Sequence, residues 1–473
     1  MSALTVGHIL GVDRSVAPLA DALFPGLDLG DARRDRRFAR VVQALARDAG
    51  QSLPQLFPTP ADYAAALRLF DAPECSHANV LAAHQIGVLD ALERRTGTVL
   101  LLHDATVLDF SGHTTLADDL GPIGNGGGRG WLAHQTLAVD PDTRLALGLV
   151  SQILHVRPAS TKGESVAARR ARLDRESRLW VRGIDEVGPV PAGCHWVDVC
   201  DRGADAFEFL QALVDRRRRY IVRSCHNRAV GDGPSDAKAP AKLHDALRAL
   251  PATASWTLDQ PAKTGRPRRS VRMAGASLTT TVRPPHVRKG ESRREAVAVT
   301  AVRVWEVDPA GGGEALEWFV LTNEPAGTPA EIERVARWYA CRMQIEEFHK
   351  VQKSGASVEG CQVQSVEKMA ALVAVLSVIS VAMLNLRLSA RTPALAGLPA
   401  ESVVPRAWVE VLSRMQSGRV ASYTVAEFWV ELARAGGYMK NPKKHPPGWI
   451  TLWRGWTRFH TILRYELSRA EMF

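Results

Sequence analysis

The sequence predicts an α/β protein with a strand-rich centre between two helical ends. Apolar residues follow a helical period through residues 1–90. From residue 98 they fall instead into short apolar blocks typical of buried strands. The helical period returns over about the last eighty residues, where five tryptophans occur. These residues are Trp408, Trp429, Trp449, Trp453 and Trp456.

The N-terminal region contains an arginine-rich helix, predicted from LGDARRDRRFARVVQALARDAG with Asp31 as its N-cap. Phe38, Val41 and Leu45 belong to its buried stripe. The rest of its surface carries Arg33, Arg34, Arg36, Arg37, Arg40 and Arg47. Two interpretations fit this pattern, a solvated surface and a helix that contacts phosphates.

Two apolar blocks in the centre each end in an aspartate. TVLLLHD ends at Asp104 and CHWVDVCD ends at Asp201, and both are predicted to be buried strands. Between them, WLAHQTLAVD and TRLALGLVSQILHV predict a hairpin. After Asp201 come a predicted helix, ADAFEFLQALVDRRR, and a predicted strand, RYIVRS.

Residues 225–317 have a different composition, rich in Gly, Pro, Thr and Arg. They contain the strand-like pieces SLTTTVR and AVAVTAVRVWEV, which are too apolar for a disordered linker. We therefore expect a β-rich insertion here. The strand EWFVLT follows it.

The segment WYACRMQIEEFHKVQKSG, residues 338–355, predicts one amphipathic helix. At helical spacing, Tyr339, Arg342, Glu346 and Lys353 fall within roughly 60° of one another. His349 and Lys350 flank this cationic face, and the opposite apolar stripe comprises Trp338, Cys341, Ile345 and Phe348. On spacing alone, a solvated surface helix with intrahelical ion pairs is the favoured interpretation.

The amino-acid composition indicates the kind of partner the protein binds and the cellular compartment in which it works. The 473 residues carry a net charge of +10, which favours an anionic partner such as nucleic acid. The six cysteines lack zinc-ligand spacing and indicate buried thiols in a reducing compartment. The N-terminus has no signal-peptide pattern. The most apolar segment, Met369 to Leu384, is shorter than a membrane span, so we expect a core helix and no membrane partner.

Asp104, Asp201 and Glu346 form a candidate cluster of three carboxylates. Strand-terminal aspartates lie at one edge of a sheet, and a helix packed there can add a third acid. Such acids repel one another unless divalent cations neutralise them. Oxygen-only ligands suit Mg²⁺ or Mn²⁺, and two such ions can clamp the attacking and leaving oxygens of a phosphodiester.

The sequence resembles the DDE transposases of the insertion sequence four family, in particular the transposon five group. HDAT and VCDRGAD resemble its first and second acid blocks. YACRMQIEEFHKVQKSG carries its Y-x2-R-x3-E-x6-K signature, known as YREK. Further similar blocks are LGDARRDRR, GRGWLAHQ, RYIVRSCHNR, EWFVLTNEP, LARAGGYMK and GWITLWRGW, so the resemblance covers nearly the whole chain.

The resemblance implies a ribonuclease H-like mixed-sheet catalytic core over residues 91–388, with the β-rich insertion at about 225–317. It also implies a helical DNA-binding domain over residues 1–90 and a helical dimerisation domain over 389–473. Asp104, Asp201 and Glu346 would hold two Mg²⁺ ions, for which Mn²⁺ substitutes. The implied protein is bacterial and cytoplasmic. It works as a homodimer on paired transposon terminal repeats, cuts them through a hairpin intermediate and joins the 3′-OH ends to target DNA.

The resemblance also assigns DNA contacts to residues outside the acid cluster. Tyr339, Arg342 and Lys353 would hold phosphates beside the scissile bond, and His349 and Lys350 would extend this grip. Trp318 would receive a base flipped out of the DNA end. The remaining implied contacts are Arg202, Arg223, Arg33, Arg34, Arg37 and Arg47.

Two departures from the transposon five group affect specificity. The segment after Lys353 is a few residues shorter, and the C-terminal region is trimmed, so end recognition and dimer contacts can differ. Two other functions fit the residues. One is a non-catalytic protein that binds transposon ends and represses transposition; the other is a structure-selective Mg²⁺ nuclease without strand transfer.

Overall fold

The computed structural model describes residues 19–158, 163–165, 168, 172–231, 242–260, 269–284, 295–309, 315–417, 422–442 and 445–470. The chain divides into two compact units. The first unit comprises Met1–Arg94, Ala105–Lys162 and Gln344–Phe473. The second unit comprises Arg95–Asp104 and Gly163–Met343.

Helices form most of the N-terminal and C-terminal regions. In chain order they are α1 Leu19–Leu23, α2 Ala32–Arg47, α3 Leu53–Leu56, α4 Pro60–Phe70, α5 His77–Glu93, α6 Leu179–Val187, α7 Phe207–Asp215, α8 Leu243–Arg248, α9 Pro329–Ala340, α10 Met343–Lys350, α11 Val366–Ser389, α12 Pro393–Ala396, α13 Arg406–Ser417, α14 Val425–Ala435 and α15 Trp449–Ala470.

Strands form the centre of the chain. They are β1 Thr98–Asp109, β2 Gly121–Ile123, β3 Gly128–Val139, β4 Ala146–His155, β5 His195–Cys200, β6 Arg219–Arg223, β7 Ala254–Gln260, β8 Arg269–Val282, β9 Val297–Glu306 and β10 Glu317–Thr322. They pair in both parallel and antiparallel fashion, which makes a large mixed sheet. The predicted α/β class with helical end regions is confirmed, and the architecture is consistent with a ribonuclease H-like core.

The sheet of the second unit begins with three parallel strands. The first residues of β1 pair with β5, and β5 pairs with β6. β10, β9, β8 and β7 continue it in antiparallel fashion. The sequences of β1 and β5 contain apolar runs because both faces of these strands are buried there, as is usual for parallel strands. Helices α6 and α7 contribute to the same core as this sheet.

The first unit contains the predicted hairpin of β3 and β4, which is confirmed. Helix α5 packs on β4, and Gly148 permits the close approach, since a Cβ there would lie 2.3 Å from a methyl of Val88. Helix α11 packs against α5 and β4 and is buried along most of its length. By length and composition it could cross a membrane, but its most apolar window is 89% buried inside the protein. It is the core helix that the sequence predicts.

The C-terminal helices α13, α14 and α15 share one core, which contains Trp408 and Trp456. Helices α14 and α15 approach each other at two glycines. A Cβ at Gly455 would lie 1.8 Å from the carbonyl oxygen of Leu432, so only glycine fits there.

Strand β1 is longer than the sequence predicts. The prediction that it ends at Asp104 is wrong, because β1 continues to Asp109. The additional residues neighbour β3, and the Phe110 N–H donates to the Arg129 carbonyl 2.9 Å away. The pairing partner lies about twenty residues further along the chain, and this distant pairing keeps the backbone extended.

Candidate active site

Asp104 and Asp201 stand on neighbouring parallel strands of the second unit. In the register of β1 and β5, His103 is opposite Cys200, and each aspartate is the next residue. Neighbouring strands are about 4.8 Å apart, so the two carboxylates share one end and one face of this sheet. Both side chains are half-buried. The structure therefore brings two of the three predicted acids together.

Asp201 takes its position from the turn that ends β5. Its Oδ1 accepts a hydrogen bond of 2.7 Å from the Gly203 N–H at the start of the short helical turn Arg202–Ala204. Gly203 is tightly enclosed, since a Cβ there would lie 2.9 Å from the Trp180 ring. A larger residue at this position would displace the turn and Asp201 with it.

Asp104 is paired with Arg342. The Arg342 guanidinium donates from Nη1 to Asp104 Oδ2 at 3.2 Å. The negative potential at this place also affects Cys200, whose pKa is raised by burial and further by the charges of Asp198, Asp201 and Asp104. The thiol therefore stays protonated beside the acids.

A buried ionic network supports these strands and was not foreseen from the sequence. Asp198 accepts from His103 Nε2 at 2.8 Å and from Arg218 Nε and Nη2 at 2.7 and 2.9 Å. Burial raises the pKa of Asp198, but Arg218 and His103 together lower it to about 2. Strand alternation puts this network on the face opposite Asp104. An aspartate inside an apolar strand, followed by an arginine at the start of the next strand, is the sequence signal for it.

The segment 338–355 is not the single helix that the sequence predicts. α9 ends at Ala340 and α10 begins at Met343, while residues Val351–Gly355 form a π-helical turn. At the first break, Cys341 N–H and Arg342 N–H donate to the carbonyls of Trp338 and Tyr339, three residues back. At the second, Ala356 N–H donates to the Val351 carbonyl, five residues back.

The common face predicted for Tyr339, Arg342, Glu346 and Lys353 stays a prediction, because these residues do not belong to one continuous helix. Tertiary contacts override the periodicity. Tyr339 is buried in the second unit and Arg342 pairs there with Asp104. In the first unit, the buried Gln352 donates to Ser377 Oγ at 2.7 Å, which anchors the π-helical turn.

Tyr339, Trp318 and Arg223 lie together in the second unit. The rings of Trp318 and Tyr339 meet edge to face at a centroid distance of 5.7 Å. Burial raises the pKa of Tyr339, and the guanidinium groups of Arg223 and Arg342 act against this rise. The phenol hydroxyl is thus close to two cations, one of which pairs with Asp104. Arg202, next to Asp201, is exposed.

The other signature residues belong to the first unit. Glu346 is half-buried on α10, and Lys353 lies in the π-helical turn, 3.7 Å from Glu359. Lys350 is exposed and bonds to Glu347 at 2.8 Å. His349 is buried, so its predicted place on an exposed cationic face is wrong. Its side chain packs beside the Phe348 ring.

The acids suit the metal that the sequence predicts. Asp104 and Asp201 offer only carboxylate oxygen, the donor that Mg²⁺ and Mn²⁺ prefer. Their proximity disfavours two adjacent negative charges, and one of them already has a cationic partner in Arg342. The donor set therefore fits a hard divalent cation.

A second donor group in the described part of this unit comprises Asp205, Cys225 and His226. Asp205 Oδ2 accepts from the N–H groups of Cys225 and His226 at 2.7 and 3.0 Å, and Oδ1 accepts from Arg228. These bonds hold the loop after β6 and engage both oxygens of the Asp205 carboxylate. We therefore assign this group to structure.

The arginine-rich helix forms as predicted, with Asp31 as its N-cap. Its arginines are paired more fully than the sequence indicates, because two acids come from beyond the helix. Arg34 contacts Glu74 at 2.9 Å and Arg37 contacts Asp62 at 3.0 Å. Arg33 and Arg47 pair with Asp31 and Asp48. An exposed pair such as Arg34 with Glu74 is worth less than about 1 kcal/mol.

Comparison with known families identifies the N-terminal segment. Residues 17–75 match the family model described as Transposase DNA-binding. The match includes α1 to α4 and all the arginines of α2. It supports a transposase that binds DNA, and it agrees with the net charge of +10.

Proposed function

We propose that this chain is a cut-and-paste DDE transposase of the insertion sequence four type, with the YREK signature of the transposon five group. The observation that carries the proposal is the placement of Asp104 and Asp201 side by side on parallel strands. The match of residues 17–75 to a transposase DNA-binding family supports the same function. The reaction is cleavage of transposon ends through a hairpin intermediate, followed by joining of the 3′-OH ends to target DNA.

In this proposal Asp104, Asp201 and Glu346 hold two Mg²⁺ ions, which Mn²⁺ can replace. Ions held there would supply activation of the attacking hydroxyl and charge stabilisation of the departing oxygen. Two of these carboxylates are positioned by neighbouring groups of the protein. The Gly203 N–H orients Asp201, and Arg342 balances the charge of Asp104 before DNA binds.

The proposed phosphate grip centres on Tyr339, Arg342 and Arg223. Their polar ends lie close together, so a phosphate bound by the two arginines would lie beside the buried Tyr339 hydroxyl. Trp318 contacts Tyr339 edge to face, which fixes the indole while its partly exposed face can stack on a flipped base. Arg202, Lys350 and Lys353 are proposed to extend the contact along the DNA backbone. For the buried His349, a DNA contact stays a prediction.

The proposed organisation follows the family resemblance. Residues 1–90 bind the terminal repeats, 91–388 form the catalytic domain and 389–473 mediate a homodimer on paired ends. A protein that binds ends without cutting them is the second candidate function. It is favoured by the Arg342–Asp104 ion pair, because the pair occupies one proposed metal ligand.

A cleavage assay distinguishes these functions. A labelled DNA fragment carrying the terminal repeats that flank the gene is incubated with protein and Mg²⁺, beside the variants Glu346→Gln and Glu410→Gln. Glu410 is the control because it forms an exposed pair with Arg406 on α13. We expect nicks and hairpin ends from the wild type and Glu410→Gln but not from Glu346→Gln. A wild type that shifts the DNA and never cuts it, in Mg²⁺ or Mn²⁺, supports the second function.

The nuclease alternative is tested by the same products. The cleaved DNA ends are purified in complex with the protein and mixed with a supercoiled target plasmid. A transposase joins the 3′-OH ends to the plasmid, whereas a nuclease leaves them free.

A further inference from the structure

Glu347, the neighbour of Glu346 in the chain, is held by three donors of the first unit. Its Oε2 accepts from Arg387 Nη1 and, at 2.7 Å, from the indole N–H of Trp449. Its Oε1 accepts from Lys350 at 2.8 Å. Both carboxylate oxygens of Glu347 are therefore engaged by side-chain donors.

Arg387 and Trp449 connect three helices at this point. Arg387 is on α11 and is buried, with its guanidinium 4.4 Å above the centroid of the Trp449 ring. Trp449 is the first residue of α15. Glu347 belongs to α10, so the contact joins α10 both to the core helix and to the last helix of the chain. We call Glu347, Arg387 and Trp449 the α10 clamp.

Helix α10 needs such an anchor because it is short and broken at both ends. It has eight residues, about two turns, and an isolated helix of this length is unstable in water. The irregular turn at Cys341–Arg342 precedes it and the π-helical turn Val351–Gly355 follows it. Rotation of α10 about its axis would move Glu346 and Glu347 together, so fixing one fixes the other.

We propose that the α10 clamp is a positioning device that sets the orientation of Glu346 through α10. The inference rests on the proposed function, because Glu346 is there the third metal ligand. Glu347, Arg387 and Trp449 are positioning residues. Outer partners that orient a metal ligand typically change metal affinity or activity by about 10–100-fold when they are removed.

The first test measures the full-length protein without metal. Hydrogen exchange of the backbone amides in Met343–Lys350 is compared for wild type, Arg387→Met and Trp449→Phe. Trp449→Phe keeps an aromatic ring while it removes the N–H donor and part of the indole, so it is the milder variant if Arg387→Met does not fold. We expect exchange in this helix to accelerate about tenfold, while the rest of α11 changes little. The matched control Arg434→Met, in an exposed pair with Glu431 on α14, should leave α10 unchanged.

The second test measures the Mg²⁺ concentration for half-maximal cleavage at saturating DNA. For Trp449→Phe we expect it to rise about tenfold, with DNA affinity within about twofold of wild type and partial recovery of the rate at high Mg²⁺. A general loss of structure would lower DNA binding instead, and high Mg²⁺ would not restore the rate.

Three results overturn the proposal. Unchanged exchange in α10 for both variants shows that the clamp does not hold the helix. Faster exchange with an unchanged Mg²⁺ requirement shows that the helix does not set the metal ligand. If the wild type never cuts DNA, the proposed function is wrong, and so is the role of the clamp in positioning a metal ligand. The exchange measurement still decides in that case whether the clamp holds α10.

Discussion

The two units each contain a pair of acids close in sequence, and in each pair one acid is locked by a buried arginine. In the second unit, Asp198 is bound by Arg218, while Asp201 lies three residues later in a half-buried turn. In the first unit, Glu347 is bound by Arg387, while its neighbour Glu346 is half-buried. An ion pair with a buried arginine therefore marks the structural acid in each pair, and the other acid is the candidate ligand.

The first prediction tests the more deeply buried acid. Asp198→Asn keeps the shape of the side chain but leaves the Arg218 charge, which is 1% exposed, without its counterion. We expect a loss of about 3–5 kcal/mol in the free energy of unfolding, measured by urea denaturation.

The matched control for this prediction is Asp185→Asn. Asp185 pairs with Arg216, and both side chains are substantially exposed, so the loss should stay below about 1 kcal/mol. Equal losses for the two variants would show that burial does not separate structural acids from the others.

The second prediction concerns a buried group that stays neutral. His84 Nδ1 donates to the Leu23 carbonyl at 2.7 Å, and His84 Nε2 accepts from the Leu149 N–H at 3.2 Å. Burial lowers the pKa of His84 from 6.5 to about 4, against the effect of the bond to Leu23. The unfolded chain thus binds more protons between these values, and stability is lost as pH falls from 6.5 towards 4.

We expect wild type to lose about 2 kcal/mol more than His84→Gln when urea unfolding is compared at pH 7 and pH 5. His226→Gln is the control because His226 is exposed. If His84→Gln retains the full pH dependence of the wild type, His84 is not the group that titrates.

The third prediction concerns exposed charges and has the smallest expected effect. Arg36 is exposed on α2, whereas Arg37 is held by Asp62 at 3.0 Å. Arg36→Ala should reduce the slope of log affinity against log salt by about 1, with a cost below about 1 kcal/mol in DNA binding at fixed salt. Arg37→Ala should change the slope less, because its charge is already partly balanced. A larger change for Arg37→Ala would show that DNA displaces Asp62 completely.

The class of the fold and many of its elements could be predicted from local sequence patterns. Apolar runs identified β1 and β5, alternation identified the β3–β4 hairpin, and Asp31 marked the start of α2. In each case the information lies within about ten residues of the element itself.

Features that depend on distant contacts were not predictable. The helix breaks between Ala340 and Met343 although the sequence keeps a helical period there. Tertiary contacts on each side of the break determine the backbone conformation. Spacing singles out Glu346, but the contact that holds its neighbour Glu347 comes from Arg387, forty residues away. Acids from beyond α2, Asp62 and Glu74, likewise pair arginines that the sequence left without partners.

The proposed role of Asp201 as a metal ligand is tested most directly by changing its donor atom. Asp201→Cys replaces a hard oxygen donor with a thiolate, which binds Mg²⁺ poorly and Mn²⁺ better. We expect cleavage of terminal-repeat DNA to fall at least ~1000-fold in Mg²⁺, Mn²⁺ to restore a large part of it, and DNA binding to stay unchanged. Cleavage that persists in Mg²⁺, or a folded DNA-binding variant that Mn²⁺ does not rescue, would contradict the role of Asp201 as a metal ligand.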